Sequence, residues 1–444
     1  MIKQTNSHIT DFSQGANLRR LAHVLFPGGC HTYAKGDDQY PQLAPGFIAR
    51  GEGCHVWDVD GNKYIEYGMG LRSVTLGHAY PSVVEAARDA MEAGSNFARP
   101  AEIEVRCAEA FLEMVPTAEM VKFTKDGSAA TSAAVKLARA ATGRDRIGIC
   151  ASHPFFSSDD WFIGTTPLDA GIPQATKDLT LSFQFNDIAS VEALFDEHPG
   201  EIACLIMEPC KYDPPRDEFL HRAQSLCQKH GALFILDEMI TGFRMHTGGA
   251  QGLYGVTPDL STWGKGLANG FALSALAGKR QYMELGGLKT DQPRVWLLST
   301  THGAETHALA AAMETMRIYR EEPVIETLHD QGEKLASRWR EVATAHGLED
   351  HVPLFGFPCN LVFGTRDAEG QGSQGFRSLF LQEMIRRGVL APSLVISYSH
   401  SDDDIEKTVA ALDGALAVYK QALHDGYEKH LVGEPSKMVY RKFN

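Results

Sequence analysis

Residues 218–240, EFLHRAQSLCQKHGALFILDEMI, decide the fold. The first part, 218–231, has apolar residues at helical spacing and ends on Lys, His and Gly, as helices commonly do. The second part, 232–240, is a short run rich in Leu and Ile that polar residues close, which predicts a buried strand. A helix followed at once by a buried strand is the repeating unit of a parallel α/β sheet.

The same alternation extends towards the N-terminus. DRIGICAS (145–152) and EIACLIMEP (201–209) have the composition of buried strands, and 185–198 has the pattern of another helix. This repetition predicts an α/β fold with a mainly parallel central sheet that helices cover on both faces. Ligands of such sheets bind beyond the carboxyl ends of the strands.

Two outer regions have different patterns. Alternation around the DVDGN turn predicts an antiparallel hairpin within 46–67. Helical patterns and short strands such as CNLVFG predict a smaller α+β domain within 311–425. The polar ends, 1–20 and 427–444, show no clear order.

Composition excludes several classes of function. The formal net charge of −14 disfavours binding to nucleic acid, and no basic run offsets it. The polar start lacks the apolar core of a signal peptide, and no apolar run reaches the roughly 18 residues of a membrane-spanning helix. The eight cysteines are scattered without a CxxC pair, which favours free thiols in a cytoplasmic protein and no metal site.

The strand at 232–240 delivers an acidic residue at its carboxyl end. Asp237 could bind a metal, act as a base or pair with a cationic ring nitrogen, and it could also be a plain capping residue. Alternation along a strand places Met239 on the same side as Asp237. A carboxylate beside a soft apolar side chain suits an aromatic ring with one charged nitrogen.

Two further stretches favour a bound ligand. In FTKDGSAATSAAVKLARAATG (123–143), a turn opens a long helix, so Gly127 and Ser128 form either an anion site or an ordinary helix cap. In STWGKGLANG (261–270), Lys265 lies among glycines that permit a bulky ligand to approach, and a desolvated lysine attacks carbonyl carbons. Together with Asp237, these features describe a pyridoxal phosphate site.

Ordered motifs along the chain identify a family. They include FPGGCHTYAKG, WDVDGNKYIEY, LGHAYPSVVEA, LIMEP, HGALFILDEMITGFR, GAQGLYGVTPDLSTWGKGLANG and RRGVLAPS. From about residue 26 to about 420, the chain resembles the class III aminotransferases of pyridoxal phosphate fold type I, most closely their glutamate-1-semialdehyde 2,1-aminomutase-like branch. The resemblance implies an N-terminal segment (1–75) packing with a small domain (311–444), and a large cofactor-binding domain (76–310).

The resemblance also implies residue roles. Lys265 would be the Schiff-base lysine and would move the proton, while Asp237 would hold the ring nitrogen protonated. Met239 would lie against the lower face of the ring, and Gly127 and Ser128 would bind the phosphate.

The family pattern further implies a homodimer with active sites at the subunit interface. LLSTTHGAETHALAAAM (297–313) resembles the segment that supplies a threonine to the neighbouring subunit's phosphate, with Thr301 aligned best and Thr300 one step away. A helix N-cap is the alternative role for these threonines.

The chain departs from the family at the phosphate turn and at the stacking position. The turn reads KDGSAA, so Asp126 must point away from the phosphate or pair with Lys125. Ser152 occupies the usual position of the aromatic residue that stacks on the ring. We predict that Phe155 replaces it, with Phe156 and His153 as alternatives.

The substrate pocket departs as well. Lys35 stands where the aminomutase has a carboxylate-binding arginine, and Arg72 lies beside Leu71, which replaces the family's tryptophan. Lys35 and Arg72 either bind substrate or are surface charges. The sequences of the segments CHTYAKGDDQYP and HGAETHALAAA favour a sugar or a specialised metabolite as the acceptor.

The predicted function is an aminotransferase that moves an amino group between an amino-acid donor and a carbonyl acceptor. The alternative is an intramolecular aminomutase of the glutamate-1-semialdehyde type, and a third is a related lyase or epimerase. A catalytically silent protein of this fold is the alternative from another class. A nucleotide-binding oxidoreductase is excluded because no GxGxxG or GxxxxGK[ST] loop is present.

Overall fold

The structure, a computed structural model, describes residues 8–153 and 155–443. The chain forms two compact units. The first takes the chain up to Leu71, with Leu76–Tyr80 and Glu326–Arg441, and the second takes Arg72–Thr75, Pro81–Ile325 and the last residues from Lys442. The domain boundaries inferred from the sequence, near 75 and 310, stay a prediction beside this division.

Strands and helices alternate through much of the chain. The strands are β1 Ile48–Glu52, β2 His55–Asp58, β3 Lys63–Glu66, β4 Met120–Thr124, β5 Arg146–Cys150, β6 Thr180–Phe183, β7 Ile202–Met207, β8 Leu233–Asp237, β9 Leu260–Trp263, β10 Ser274–Gly278, β11 Leu354–Phe357, β12 Asn360–Phe363, β13 Val389–Leu390 and β14 Leu394–Val395. The helices are α1 Ser13–Leu25, α2 Met69–Arg72, α3 Pro81–Glu92, α4 Glu102–Met114, α5 Gly127–Thr142, α6 Asp160–Ile163, α7 Gln174–Lys177, α8 Ile188–Glu197, α9 Phe219–His230, α10 Gly249–Leu253, α11 Arg280–Met283, α12 Thr306–Glu321, α13 Val324–His346, α14 Gln374–Arg386 and α15 Asp402–Asp425. Within the described part of the chain, none of these helices is long and apolar enough to cross a membrane.

The second unit is built on a seven-stranded sheet in the order β4–β10–β9–β8–β7–β5–β6. Strand β10 is antiparallel to both of its neighbours, and the other pairs are parallel. The mainly parallel α/β sheet predicted from the sequence is therefore confirmed. Its three predicted strands are β5, β7 and β8, and the two predicted helices are α8 and α9.

Strand alternation sorts the apolar side chains onto the two faces of this sheet. On β7, Ile206 packs in a cluster with Ala134 and Leu137 of α5. Its neighbours Leu205 and Met207 belong to a second cluster, which includes Phe219 of α9. Both faces are apolar and covered by helices, as a parallel sheet requires.

The first unit contains two smaller sheets, in the orders β1–β2–β3–β13 and β11–β12–β14. The predicted hairpin is confirmed as the antiparallel pair β2 and β3, and β1 adds a further antiparallel strand. The predicted strand CNLVFG is β12, which pairs with β11 and β14. Helices α13, α14 and α15 supply the α component of this α+β unit.

The prediction that residues 1–20 lack order is wrong from Ser13 onward, where α1 begins. The sequence shows no local cap because the cap is tertiary. The Asp60 side chain accepts hydrogen bonds from the backbone amides of Gln14 and Gly15, at 2.6 and 2.9 Å. Beyond α15, the tail has one short 3-10 helix, Tyr427–Lys429.

The residues of α2, Met69, Gly70, Leu71 and Arg72, all have positive φ angles, between 41° and 72°. They therefore form a left-handed turn. For residues other than glycine this conformation costs roughly 1–2 kcal/mol each, so it persists only where the surroundings impose it.

Candidate active site

Six strands of the large sheet, all except β10, end at one edge, and five of them carry candidate site residues there. Strands β4, β9, β8, β7 and β5 run in the same direction, so the residues that end or follow them lie along that edge. These are Gly127 after β4, Lys265 after β9, Asp237 at the end of β8, Glu208 after β7 and His153 after β5. This is the edge at which an α/β sheet binds its ligand.

Asp237 is buried, with only 3% of its surface exposed. Its Oδ1 accepts two hydrogen bonds, from the Thr262 hydroxyl at 2.9 Å and from the Met239 backbone amide at 3.0 Å. Its Oδ2 has no hydrogen-bond partner among the described residues. Burial raises the pKa of Asp237 to about 6, although Lys265 opposes this effect. Oδ2 is thus available to a cationic N–H.

Lys265 begins a short 3-10 helix, Lys265–Ala268, directly after Gly264. Burial lowers the pKa of its amine, and the negative charges of Asp237 and Glu208 act in the opposite direction. A lowered pKa increases the neutral fraction, which is the form that attacks carbonyl carbons. The structure therefore brings Lys265 and Asp237 together electrostatically, at the ends of adjacent strands.

The Met239 sulfur lies close to both Gly127, at the start of α5, and Gly264, just before Lys265. A Cβ atom on Gly127 would meet this sulfur at 3.0 Å, and one on Gly264 would meet it at 2.7 Å. A side chain at either position would displace this buried thioether. Met239 presents a soft apolar surface between Gly127 and the residue that precedes Lys265.

Helix α5 begins at Gly127, and Asp126 is its N-cap. The Asp126 side chain accepts a hydrogen bond from the Ala129 backbone amide at 2.9 Å, so the plain capping role is real. It leaves the amides of Gly127 and Ser128 available to an anion. The carboxylate of Asp126 does not pair with Lys125, because Lys125 forms a short ion pair with Glu305.

The loop after β5 is bound to the first turns of α5. The Phe156 carbonyl accepts from the Thr131 hydroxyl at 2.7 Å, and Ser128 Oγ accepts from the Ser158 backbone amide at 3.0 Å. Phe156 is buried in the core cluster on that face. Phe155 is 48% exposed and contacts Phe162 edge-on, so its predicted stacking role stays a prediction.

His153 was considered at the sequence level only as a stacking alternative. Its Nδ1 accepts a hydrogen bond from the Glu208 backbone amide at 3.0 Å, so the hydrogen of the neutral ring is on Nε2. Burial lowers the pKa of His153 to about 3, and Lys211 contributes. Within the described ranges, Nε2 is buried without a hydrogen-bond partner.

Glu208 is a site residue that the sequence reasoning missed. Its Oε2 is buried without a partner in the described part of the chain. Burial raises its pKa to about 7, Lys211 lowers it and Asp237 raises it further. The signal was present in LIMEP, because the strand-end argument used for Asp237 applies equally to a glutamate after β7.

Lys211, Arg72 and Arg244 are cations that act on the residues of this edge. Burial lowers the pKa of Lys211 to about 8, with Glu208 opposing and Arg72 and Lys265 adding to the decrease. Arg72 is half-buried, and its carbonyl accepts from Arg244 Nη2 at 2.9 Å. The structure thus places Arg72, predicted to bind substrate, within electrostatic reach of Lys265. Lys211 was not predicted.

The other predicted site residues are exposed. Lys35 ends the short 3-10 helix Tyr33–Lys35 in the first unit. Thr300 and Thr301 precede α12, which begins at Thr306 with Glu305 as its N-cap. The alternative role of these threonines as caps of α12 is therefore wrong. Their predicted contact with a neighbouring subunit's phosphate, and a substrate role for Lys35, stay predictions.

Among the described residues, one group has the composition of a metal site, namely Cys54, His55 and Asp404 in the first unit. The three side chains contact one another through hydrogen bonds and an ion pair. His55 Nε2 lies 3.0 Å from Asp404 Oδ1, and the Cys54 thiol donates to Oδ2 at 3.4 Å. Oδ2 also accepts from the Ser401 amide in the capping box of α15. This group is explained by helix capping.

Comparisons with known proteins give a consistent result. Residues 36–394 match the family model "Aminotransferase class-III". The chain is 35% identical over 418 residues to glutamate-1-semialdehyde 2,1-aminomutase of Anaeromyxobacter sp. (strain Fw109-5), covering 89% of this chain and 96% of the relative. Among solved structures, the Sphingopyxis sp. MTA144 FumI protein matches with a TM-score of 0.85, 29% identity and coverage of 96% and 99%. An omega-transaminase from Sphaerobacter thermophilus matches with a TM-score of 0.83 and 27% identity, covering 92% of this chain and 98% of the transaminase.

Proposed function

Because the chain belongs to the class III aminotransferases and uses pyridoxal phosphate, we propose that it transfers an amino group from an amino-acid donor to a carbonyl acceptor. The observation that carries this proposal is the placement of a desolvated amine within electrostatic reach of a buried carboxyl group. Lys265 and Asp237 lie at the ends of adjacent parallel strands, where Asp237 pairs in register with Thr262. Each has a reactive atom left for a ligand.

The residues of the edge fit the cofactor. Asp237 Oδ2 suits a protonated ring nitrogen, and the α5 amides suit a phosphate. Thr124 ends β4, shortly before the turn at Gly127. Its hydroxyl is buried and has no hydrogen-bond partner in the described ranges, so it is available to a ligand. The close approaches of Gly127 and Gly264 to the Met239 sulfur leave no room for side chains there.

Each residue has a distinct task. Pyridoxal phosphate supplies an aldehyde carbon and an electron-withdrawing ring when it is bound. Asp237 holds the proton at the ring nitrogen, and Thr262 orients its carboxylate through Oδ1. Lys265 would hold the cofactor at its aldehyde carbon and would move the proton at the substrate's reacting carbon. Gly127 and Ser128 hold the phosphate through backbone amides.

We further propose that the enzyme is a homodimer in the cytoplasm. Thr300 and Thr301 lie in an exposed segment of the second unit, so they are accessible to the phosphate of a second copy. Phe155 would stack on the ring in the place that Ser152 leaves, since the Ser152 hydroxyl donates instead to Gln184 Oε1 at 3.0 Å. Lys35 and Arg72 would bind substrate, and a sugar or a specialised metabolite is the proposed acceptor.

The second candidate function is an intramolecular aminomutase. The 35% identity to glutamate-1-semialdehyde 2,1-aminomutase over most of the chain favours it. Both reactions need Lys265 and Asp237 in the same roles. Lys35 in place of the aminomutase's arginine favours the aminotransferase, because lysine lacks the bidentate geometry of a guanidinium group.

A single-turnover titration tests the proposal. The purified holoenzyme is mixed with one candidate donor at a time, such as L-glutamate or L-alanine, while the visible absorption of the bound cofactor is followed. Loss of that band with stoichiometric release of the keto acid supports the aminotransferase. Conversion of a semialdehyde or diamino compound without a second substrate, and no discharge by amino acids, supports the aminomutase.

A further inference from the structure

Lys211 follows Glu208 by three residues, beyond the carboxyl end of β7. It is half-buried, and its ammonium group has no hydrogen bond or ion pair with any described residue. Its nitrogen lies 5.0 Å from the centre of the Tyr212 ring. Glu208 is the anion that acts on it most strongly, without a direct contact. A partly buried ammonium group with no direct carboxylate contact can bind an anionic ligand.

The charge of Lys211 acts on the residues at the edge of the sheet where Asp237 and Lys265 lie. Its charge acts on Glu208 and His153, and it interacts with the charge of Lys265, so it affects residues that follow three different strands. Arg72 acts on the same groups, Glu208 and Lys265, and on Lys211 itself. Lys211 follows β7, on the side of β8 opposite to Gly127, and Arg72 and Arg244 also act on Lys265.

Two acidic residues, Asp237 and Glu208, lie at the same edge of the sheet. Asp237 faces the ring nitrogen of the cofactor under the proposed function. Glu208 follows β7 beside Asp237, and it has a raised pKa, so at pH 7 it carries only part of a negative charge. Lys211, Arg72 and Arg244 thus outnumber the two acidic residues around Lys265, and a substrate with an acid group supplies the balancing charge.

We propose that Lys211, with Arg72, binds a carboxylate on the reacting carbon of the substrate, which makes donors that carry such a carboxylate, rather than simple amines, the substrate class of this site. The proposal rests on the proposed function. A charge-assisted hydrogen bond to a carboxylate contributes roughly 10- to 100-fold in affinity. Lys211 is thus a specificity-determining residue.

The test compares donors that differ only in the acid group. L-alanine and isopropylamine are matched, because isopropylamine has a methyl group where alanine has its carboxylate. Holoenzymes of the wild type, Lys211→Met, Lys211→Arg and the exposed control Lys229→Met are mixed with each donor. The rate of loss of the visible cofactor band is measured, together with the inhibition constant of propanoate, a carboxylate without an amine.

We expect Lys211→Met to reduce the alanine rate and weaken propanoate binding by about 10- to 100-fold, with the isopropylamine rate and the affinity for pyridoxal phosphate unchanged. Lys211→Arg should restore most of the loss, and Lys229→Met should behave as wild type.

An unchanged alanine-to-isopropylamine ratio in Lys211→Met overturns the proposal and leaves the proposed function intact. A changed cofactor spectrum or affinity with unchanged propanoate inhibition also overturns it, because Lys211 would then serve the cofactor. A wild-type holoenzyme that no amino donor discharges overturns the aminotransferase and this proposal together.

Discussion

Thr262 donates a 2.9 Å hydrogen bond to Asp237 Oδ1 across the parallel strands β9 and β8. Because the Met239 amide donates to the same oxygen, the carboxylate is fixed with Oδ2 left for a ligand. The orientation of the carboxylate therefore depends on strand pairing, which is among the most rigid features of the fold. Predictions about the site follow from this arrangement.

Replacing Asp237 with asparagine should leave the cofactor bound and slow the half-reaction by at least about 100-fold, since the amide cannot hold the ring nitrogen protonated. The rate is measured in single turnover with the donor that discharges the wild type. The control is Asp259→Asn, a buried carboxylate just before β9 that pairs with Lys279. A rate for Asp237→Asn within a few-fold of wild type would show that Asp237 has another role.

Replacing Thr262 with valine removes one hydrogen bond and keeps the side-chain shape. We expect a loss of about 1 kcal/mol in unfolding free energy of the apoprotein, and a smaller loss of activity than for Asp237→Asn. Denaturant unfolding at pH 7 and single-turnover rates measure these effects. A Thr262→Val enzyme as slow as Asp237→Asn would mean that the hydroxyl itself touches the reacting atoms.

The raised pKa of Glu208 predicts a pH dependence of stability. Below about pH 4 the group is protonated in both folded and unfolded chains, and it does not affect their balance. Between pH 4 and about 7, the unfolded chain loses the proton first, so folding loses stability as the pH rises. Glu208→Gln removes this loss.

The melting temperature of apo Glu208→Gln, relative to apo wild type, should therefore increase between pH 5 and pH 7.5. The difference between the two proteins is the relevant quantity, because the lowered pKa values of His153 and His400 act in the opposite direction in both. A relative melting temperature that is flat or falls over this range would contradict a raised pKa for Glu208.

Asp126 gives a prediction about cofactor affinity. Asp126→Asn keeps the cap to the Ala129 amide and removes a negative charge beside the phosphate turn, so pyridoxal phosphate should bind a few-fold more tightly. Asp126→Ala loses the cap, and its stability should fall by about 1 kcal/mol. Weaker cofactor binding in Asp126→Asn would mean that the carboxylate itself helps to organise the phosphate site.

The predictable parts of the site are those that local pattern specifies. Asp237 ends a predicted strand, Gly127 opens a predicted helix and Lys265 lies among glycines, so all three could be recognised from the sequence. The fold class was equally accessible, because β5, β7 and β8 are short apolar runs separated by amphipathic helices. Strands β4, β9 and β10 were missed because they are short and contain small or polar residues.

The unpredictable parts depend on which strands become neighbours. Glu208 affects Asp237 only because β7 pairs with β8, and Lys211 acts on Lys265 only through the same order. The cap that Asp60 provides to α1 is likewise a contact between distant segments. A single sequence does not specify such pairings, so these roles required the structure.

The most direct measurement is borohydride reduction of the holoenzyme followed by peptide mapping by mass spectrometry. Two partly buried lysines with lowered pKa values, Lys265 and Lys211, lie at the same edge and have different assigned roles. Our account predicts that the reduced cofactor is attached to Lys265 alone, and that Lys265→Ala retains none of it covalently. Attachment to Lys211, or no covalent attachment in the wild type, would contradict the assignment of Lys265 as the reacting amine.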